Sequence, residues 1–304
     1  MNKITMKCIV TLFSIMLLLS VNPCFATDKE KAITPEIQSQ STQEVQSTVD
    51  SKTDENAAEH RKKILSEATV AISESRKALK ALDEGKAEEA IKALELATGK
   101  MALIIARDPE LALAKVDVNV KVFDVFANVK TLKETVKQAT KYLKNGKVQL
   151  ARPLVDSLVS EIVIESINIP LATYPDAIIA VVPLIDKGKI KEAKAALQTA
   201  LNTLIAVEEE VIPLPVVRAE SMLKEAEKLA ENKERKEEDN KKLVTFLGDA
   251  QTQLEIAEIL GYGNEKAFKP MYEQLNMIRE KTKDGKSGTG FFDKISEQIS
   301  KIFK

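Results

Sequence analysis

Leu82-Asp83-Glu84-Gly85-Lys86, Leu143-Lys144-Asn145-Gly146-Lys147 and Ile185-Asp186-Lys187-Gly188-Lys189 are three copies of one signal. In each, an aliphatic residue closes a helical pattern, a glycine follows three positions later, and a lysine comes next. Glycine enters the left-handed backbone region at little steric cost, which ends one helix and lets another begin. Apolar residues recur five and nine positions beyond each glycine: Ala90 and Leu94, Ala151 and Val155, Ala193 and Leu197. The small alanine admits a close approach of the second helix to the first. Pro109, Pro170 and Pro213 lie 24, 24 and 25 residues past their glycines. Each unit therefore reads as a helical hairpin.

The glycines are 61 and 42 residues apart, too irregular for a solenoid of tetratricopeptide type. Helical pattern begins near Asn56, where Ile64, Leu65, Ala68, Ala71, Ile72, Ser75, Leu79 and Leu82 recur at three- and four-residue steps. After Pro215, Ala219, Met222, Leu223, Ala226, Leu229 and Ala230 form one apolar stripe, and Leu243, Phe246, Leu247, Ala250, Leu254, Ala257 and Leu260 another. The charged stretch 231–242 between them mixes both signs and reads as a solvated turn. A further helix is expected from about Glu265 to Lys281. Three β-branched segments interrupt the pattern: Val116 to Val122 in alternation, Ile162 to Ile169, and Leu204 to Leu214. They read equally as short strands or as helix ends, since Glu208-Glu209-Glu210 favours helix. The expected fold is mainly α, helical hairpins packed as an irregular bundle, with at most a small sheet of two or three short strands.

The ends differ from this middle. Lys3 and Lys7, an apolar run of 13 residues from Ile9 to Val21, and Cys24-Phe25-Ala26 follow the order of a signal peptide cut after Ala26. A helix crossing a bilayer needs roughly 20 apolar residues, so the expectation is a cleaved leader over 1–26 and no stable membrane anchor. Both cysteines fall within it. The remaining chain carries 43 basic against 46 acidic residues, and that near balance argues against nucleic acid as a partner. Residues 27–55 are rich in Ser, Thr, Gln and Glu and read as a disordered tether. The helical domain is expected over 56–282, a flexible Gly/Ser/Lys linker over 283–290, and an amphipathic C-terminal helix over 291–304. Phe291, Phe292, Ile295, Ile299, Ile302 and Phe303 share one face of that helix. It is expected to dock on its own core or on a sister subunit, in preference to weak contact with a membrane surface.

Residue types for catalysis are sparse. His60 is the single histidine and sits at the edge of the expected tether, so no catalytic residue, metal site or cofactor is expected. Gly285-Lys286-Ser287 fails as a phosphate loop because Glu280 stands where its first glycine is required. Tyr142, Tyr174, Tyr262 and Tyr272 read as core or capping residues, with Tyr174 and Tyr262 the candidates for lining a ligand pocket between helices.

Several runs together resemble the YfdX family of bacterial proteins: Ala81-Leu82-Asp83-Glu84-Gly85-Lys86, Ala97-Thr98-Gly99-Lys100, Ala106-Arg107-Asp108-Pro109, Ala151-Arg152-Pro153-Leu154 and Ile169-Pro170-Leu171-Ala172-Thr173-Tyr174-Pro175. Further on come Pro183-Leu184-Ile185-Asp186-Lys187-Gly188-Lys189, Ala200-Leu201-Asn202-Thr203-Leu204, Val211-Ile212-Pro213-Leu214-Pro215 with Arg218-Ala219-Glu220, Leu260-Gly261-Tyr262-Gly263, and Lys286 to Ile295. The resemblance covers roughly residues 65–304. It implies a periplasmic protein of a Gram-negative bacterium, mainly helical, associated with acid, heat and other envelope stress and without an established enzymatic activity. Some members are thought to be chaperone-like or to bind antibiotics. The resulting expectation is a non-enzymatic, homo-oligomeric stress-tolerance protein that binds unfolding client proteins. The alternatives are a small-molecule binder and an assembly partner acting through the C-terminal helix.

Overall fold

The computed structural model describes residues 39–302. The expected leader, residues 27–38 of the expected tether, and Phe303 and Lys304 lie outside the described residues. The chain is mainly α, with a three-stranded antiparallel sheet in its middle. The helices are α1 (Gln40–Arg61), α2 (Ser66–Asp83), α3 (Ala87–Arg107), α4 (Val129–Lys144), α5 (Val148–Asp156), α6 (Tyr174–Ile179), α7 (Val182–Asp186), α8 (Ile190–Leu201), α9 (Leu214–Glu231), α10 (Glu237–Leu260), α11 (Glu265–Thr282) and α12 (Asp293–Ser300). The strands β1 (Leu113–Phe123), β2 (Glu161–Pro170) and β3 (Ile205–Pro213) lie side by side in that order.

The three glycine signals are helix stops of one design. Gly85, Gly146 and Gly188 have φ of 74°, 69° and 68°. After each, the lysine N–H reaches back to a carbonyl five residues earlier: Lys86 to Ala81 at 2.8 Å, Lys147 to Tyr142 and Lys189 to Leu184 at 2.9 Å. This is the bond that closes a Schellman turn. The repeat is longer than a hairpin, because each unit runs on into a strand: α2–α3–β1, α4–α5–β2, and α6–α7–α8–β3. The three β-branched segments are those strands. Glu208, Glu209 and Glu210 stand in β3 rather than in a helix, on an edge strand where charge discourages pairing with another chain.

The sheet separates two helical layers, and a bulge makes this possible. In β1 the pairing with β2 shifts between Lys115 and Asp117, leaving Val116 as the extra residue. Ala114 and Val116 consequently enter a core with Ile169, Leu94 and Met101, formed by α2, α3, α6, α7 and α8. Val118 belongs instead to a smaller core with Ile162, Ile164, Ile212 and Val217, where α1 contributes Val49. Without the extra residue, all the alternating valines would share one face. A further core joins α1, α9, α10, α11 and α12 around Met222, Leu254, Phe268 and Leu275.

Two expectations about flexible segments change. The tether expected through residue 55 is, from Gln40 onward, the helix α1. Ser39 accepts a hydrogen bond from the Thr42 N–H at 3.2 Å, and Val45, Val49 and Ala57 repeat at helical spacing on its buried face. The linker expected over 283–290 is a tight turn held by specific bonds: the Gly288 N–H donates to the Ala230 carbonyl at 3.1 Å, and Arg235 donates to the carbonyls of Thr282 at 3.3 Å and Lys286 at 3.0 Å. The C-terminal helix folds back on its own chain, with Phe292, Ile295 and Ile299 fully buried beside Phe268 and Leu275.

Candidate functional site

The candidate site is the seam beneath α1. This helix lies over the sheet and α9 and buries few apolar side chains: Val45, Val49 and Ala57. Ion pairs supply much of its remaining attachment. Lys52 meets Glu220 of α9 at 2.6 Å, and Glu44 meets Lys242 of α10 at 2.7 Å. At its C-terminal end the two ring nitrogens of His60 lie 2.5 Å from Glu209 and 3.1 Å from Glu210, both in β3. Lys115 of β1 completes the cluster, 2.6 Å from Glu209. Burial raises the Glu209 carboxyl, but hydrogen bonds from Lys115, His60 and Ser166 outweigh that and bring it to about 2. Glu220 is also lowered: its burial acts upward, and Lys52 and Lys224 more than compensate.

Three cavities have walls on α1. One of about 230 Å³ is lined by Ser39 and Thr42, the 125–128 loop, Ser160, Arg218, and Asp249 to Ile256 of α10. A second of about 510 Å³ lies among Gln46, Val49, Asp50, Thr53, Phe126, Ile162, Leu214 and Arg218. The third, about 310 Å³, runs between Lys52, Asn56, Ile162, Ile212, Val217 and Glu220. Arg218, 6 % exposed, stands in the walls of the first two. It forms a bidentate pair with Asp124, at 2.9 and 2.6 Å, and Ser160 donates to the same carboxylate at 3.1 Å. The Arg218 Nε is buried without a hydrogen-bond partner.

The tyrosines divide. Tyr174 is fully buried in the core of α2, α3 and α8, lines none of these cavities, and has its phenol pushed up by burial. It is a core residue rather than a pocket wall. Tyr262 supports the site from behind: its hydroxyl accepts from the Ser160 N–H at 3.0 Å and donates to Glu161 at 2.8 Å. Burial raises its phenol, as does the Glu161 carboxylate. Tyr272 donates to Glu258 at 2.7 Å, and Tyr142 is half-buried near the end of α4. His60, expected at the edge of a disordered tether, is instead held between the two glutamates. Sequence reasoning missed the Arg218–Asp124 pair. A signal for it exists, since Leu214, Val217, Ala219 and Met222 surround Arg218 on a helix otherwise buried there, and a buried arginine demands an acidic partner.

The family model described as "YfdX protein" matches residues 71–210. Over these residues the chain belongs to the YfdX family. The matched region runs from α2 through β3 and supplies Asp124, Ser160 and Glu209, whereas α1, Arg218 and Tyr262 lie outside it. A solved structure of YfdX from Salmonella Typhi is 13 % identical, with 50 % of this chain and 93 % of that chain covered and a TM-score of 0.34. No curated protein matches. The site is therefore assembled partly from the YfdX region and partly from helices on either side of it.

Proposed function

We propose that this protein acts by binding rather than by catalysis, as an exported, periplasmic holdase that exposes an apolar seam when acid loosens α1. One observation carries the reading: α1 covers apolar residues of the sheet and α9, and carboxylate pairs hold it there at both ends. The sign follows from Glu209. Its ordinary value is 4.5 and its folded value about 2, so its pairing contributes fully above about 4.5 and is lost as pH falls toward 2. Glu220 shifts in the same direction and adds to the same window. Freed of these pairs, α1 retains only its short apolar face, and Val49, Ile162, Ile212 and Val217 become accessible to an unfolding chain.

The test is light scattering from a client protein aggregating at pH 3 and at pH 7, with the purified protein equimolar to the client. Suppression at pH 3 that exceeds suppression at pH 7 is the expected result; no suppression at either pH contradicts the reading. A second reading, small-molecule binding, is favoured by the Arg218 Nε, a buried donor without a partner beside two cavities. A compound with a hydrogen-bond acceptor that fills either cavity raises the melting temperature, and Arg218→Lys abolishes that rise. An equal rise in the variant contradicts it.

A further inference from the structure

The three units that carry a helix–glycine–helix turn and run on into a strand provide an internal comparison. The aliphatic residue three positions before the glycine is 2 % exposed in the first unit (Leu82) and 4 % in the third (Ile185), but 49 % in the second (Leu143). Nine positions after the glycine the same contrast holds: Leu94 is 1 % exposed, Leu197 0 %, and Val155 46 %. The alanine five positions after the glycine is buried in all three, so the second hairpin is closed normally and only its outer apolar residues are uncovered. Val148, next to the turn, and Leu150 are also exposed. The cause lies in packing: α8 and α2 cover one another, whereas α4 rests on α10 and α5 packs chiefly on α4.

The charge of this hairpin differs as well. The first tip carries Asp83 and Glu84, with Asp83 paired to Lys194 of α8, and the third carries Asp186. The second tip, Lys144-Asn145-Gly146-Lys147, has no acid. Between residues 129 and 157 six lysines and Arg152 face only Glu134 and Asp156, a net +5 in a chain of net −1. Among the described residues, none of those six lysines forms an ion pair; Arg152 alone does, with Asp156. The α4 lysines repeat at three- and four-residue steps, opposite its buried Leu132, Thr135 and Ala139, and end at the tip.

We infer that the tip of the second hairpin, residues 141–148, is a docking site for an anionic phospholipid surface. Leu143 and Val148 flank the turn and enter the headgroup layer, while Lys141, Lys144 and Lys147 form a cationic collar around them. Lysine suits this role: its flexible stem lies along apolar surface while the ammonium stays with phosphate and water. Fluid headgroups require none of the fixed bidentate geometry that favours arginine at protein interfaces. Four half-exposed aliphatic side chains also fall well short of the roughly 800 Å² per partner of a stable protein interface. Among the described residues no helix is long and apolar enough to cross a membrane, so the contact is peripheral. This inference is independent of the proposed holdase function.

Vesicle flotation of the protein expressed from its full sequence tests it. Vesicles of phosphatidylcholine alone are compared with vesicles containing phosphatidylglycerol, at low and at 0.5 M salt. Binding is expected only to the anionic vesicles and only at low salt. The variant Lys141→Gln/Lys144→Gln/Lys147→Gln loses about a hundredfold in partitioning, since each lysine near an anionic surface contributes roughly fivefold. Its melting curve stays unchanged, because the three side chains are exposed and unpaired. Equal binding to neutral vesicles, equal binding by the variant, or no binding at all overturns the inference. So does a variant that floats normally but has lost a lipid-independent oligomer, which would assign the tip to contact between copies of this chain.

Discussion

Arg218→Met lowers the free energy of unfolding by about 3 kcal/mol, read from urea denaturation at neutral pH. The arginine side chain is 7 % exposed and that of Asp124 is 12 %, so water replaces little of what the substitution removes. Two charge-assisted bonds disappear, and Asp124 retains the Ser160 hydroxyl at 3.1 Å against a buried negative charge. Breaking a buried pair on one side is more costly than replacing both sides, because the surviving charge keeps its desolvation penalty. The double variant Arg218→Met/Asp124→Leu is therefore expected to recover much of the loss. Arg218→Lys keeps the charge but forfeits the fork geometry and falls between the two. A loss below about 1 kcal/mol for Arg218→Met, the range of an exposed pair, contradicts this account of the site.

The second large effect is on α1 and arises from pH. Its fastenings are Lys52–Glu220, Glu44–Lys242 and the contacts of His60 with Glu209 and Glu210, with Lys115 of β1 holding Glu209 in place. The carboxyls of Glu209 and Glu220 are both held below their ordinary range by these partners, so protonation of either weakens its hold on α1. The cores around Leu94 and around Phe268 rest on apolar contacts, and the Glu67–Arg107 pair that links α2 to α3 stands outside the first of them. Acid thus separates the stability of α1 from that of the helices beneath it, a local opening below the threshold of global unfolding. Glu209→Gln imposes the loss of one fastening at neutral pH and is expected to loosen α1 there.

Much of this fold is legible in the sequence. The three glycines mark helix stops because nothing but glycine enters the left-handed region so cheaply, and the stripes of α9 and α10 follow from helical spacing. The alternating valines 116–122 read as a strand or as a helix end alike, and both the strand and the bulge at Val116 that divides them between two cores depend on pairing with β2, which is nonlocal. The helix α1 is hidden by composition. Its buried face is built from Ser41, Thr42, Val45, Val49 and Ala57, too polar to stand out from a disordered segment, and it becomes evident only when α9 and the sheet are present to receive it. Glu208-Glu209-Glu210 favours helix locally, yet tertiary partners hold it as a strand: β2 along the backbone, and His60 and Lys115 at the side chains. The seam and its cavities are assembled from residues as distant as Thr42 and Ile256, which no local pattern connects.

Hydrogen exchange of residues 40–61, followed from pH 7 to pH 2.5 and corrected for the intrinsic pH dependence of exchange, reads the acid opening of α1 separately from global unfolding. Protection of α1 is expected to fall between about pH 4.5 and the lower limit while α9, α10 and α3 remain protected. Protection of α1 that persists to pH 2.5, or that vanishes only together with those three helices, contradicts it.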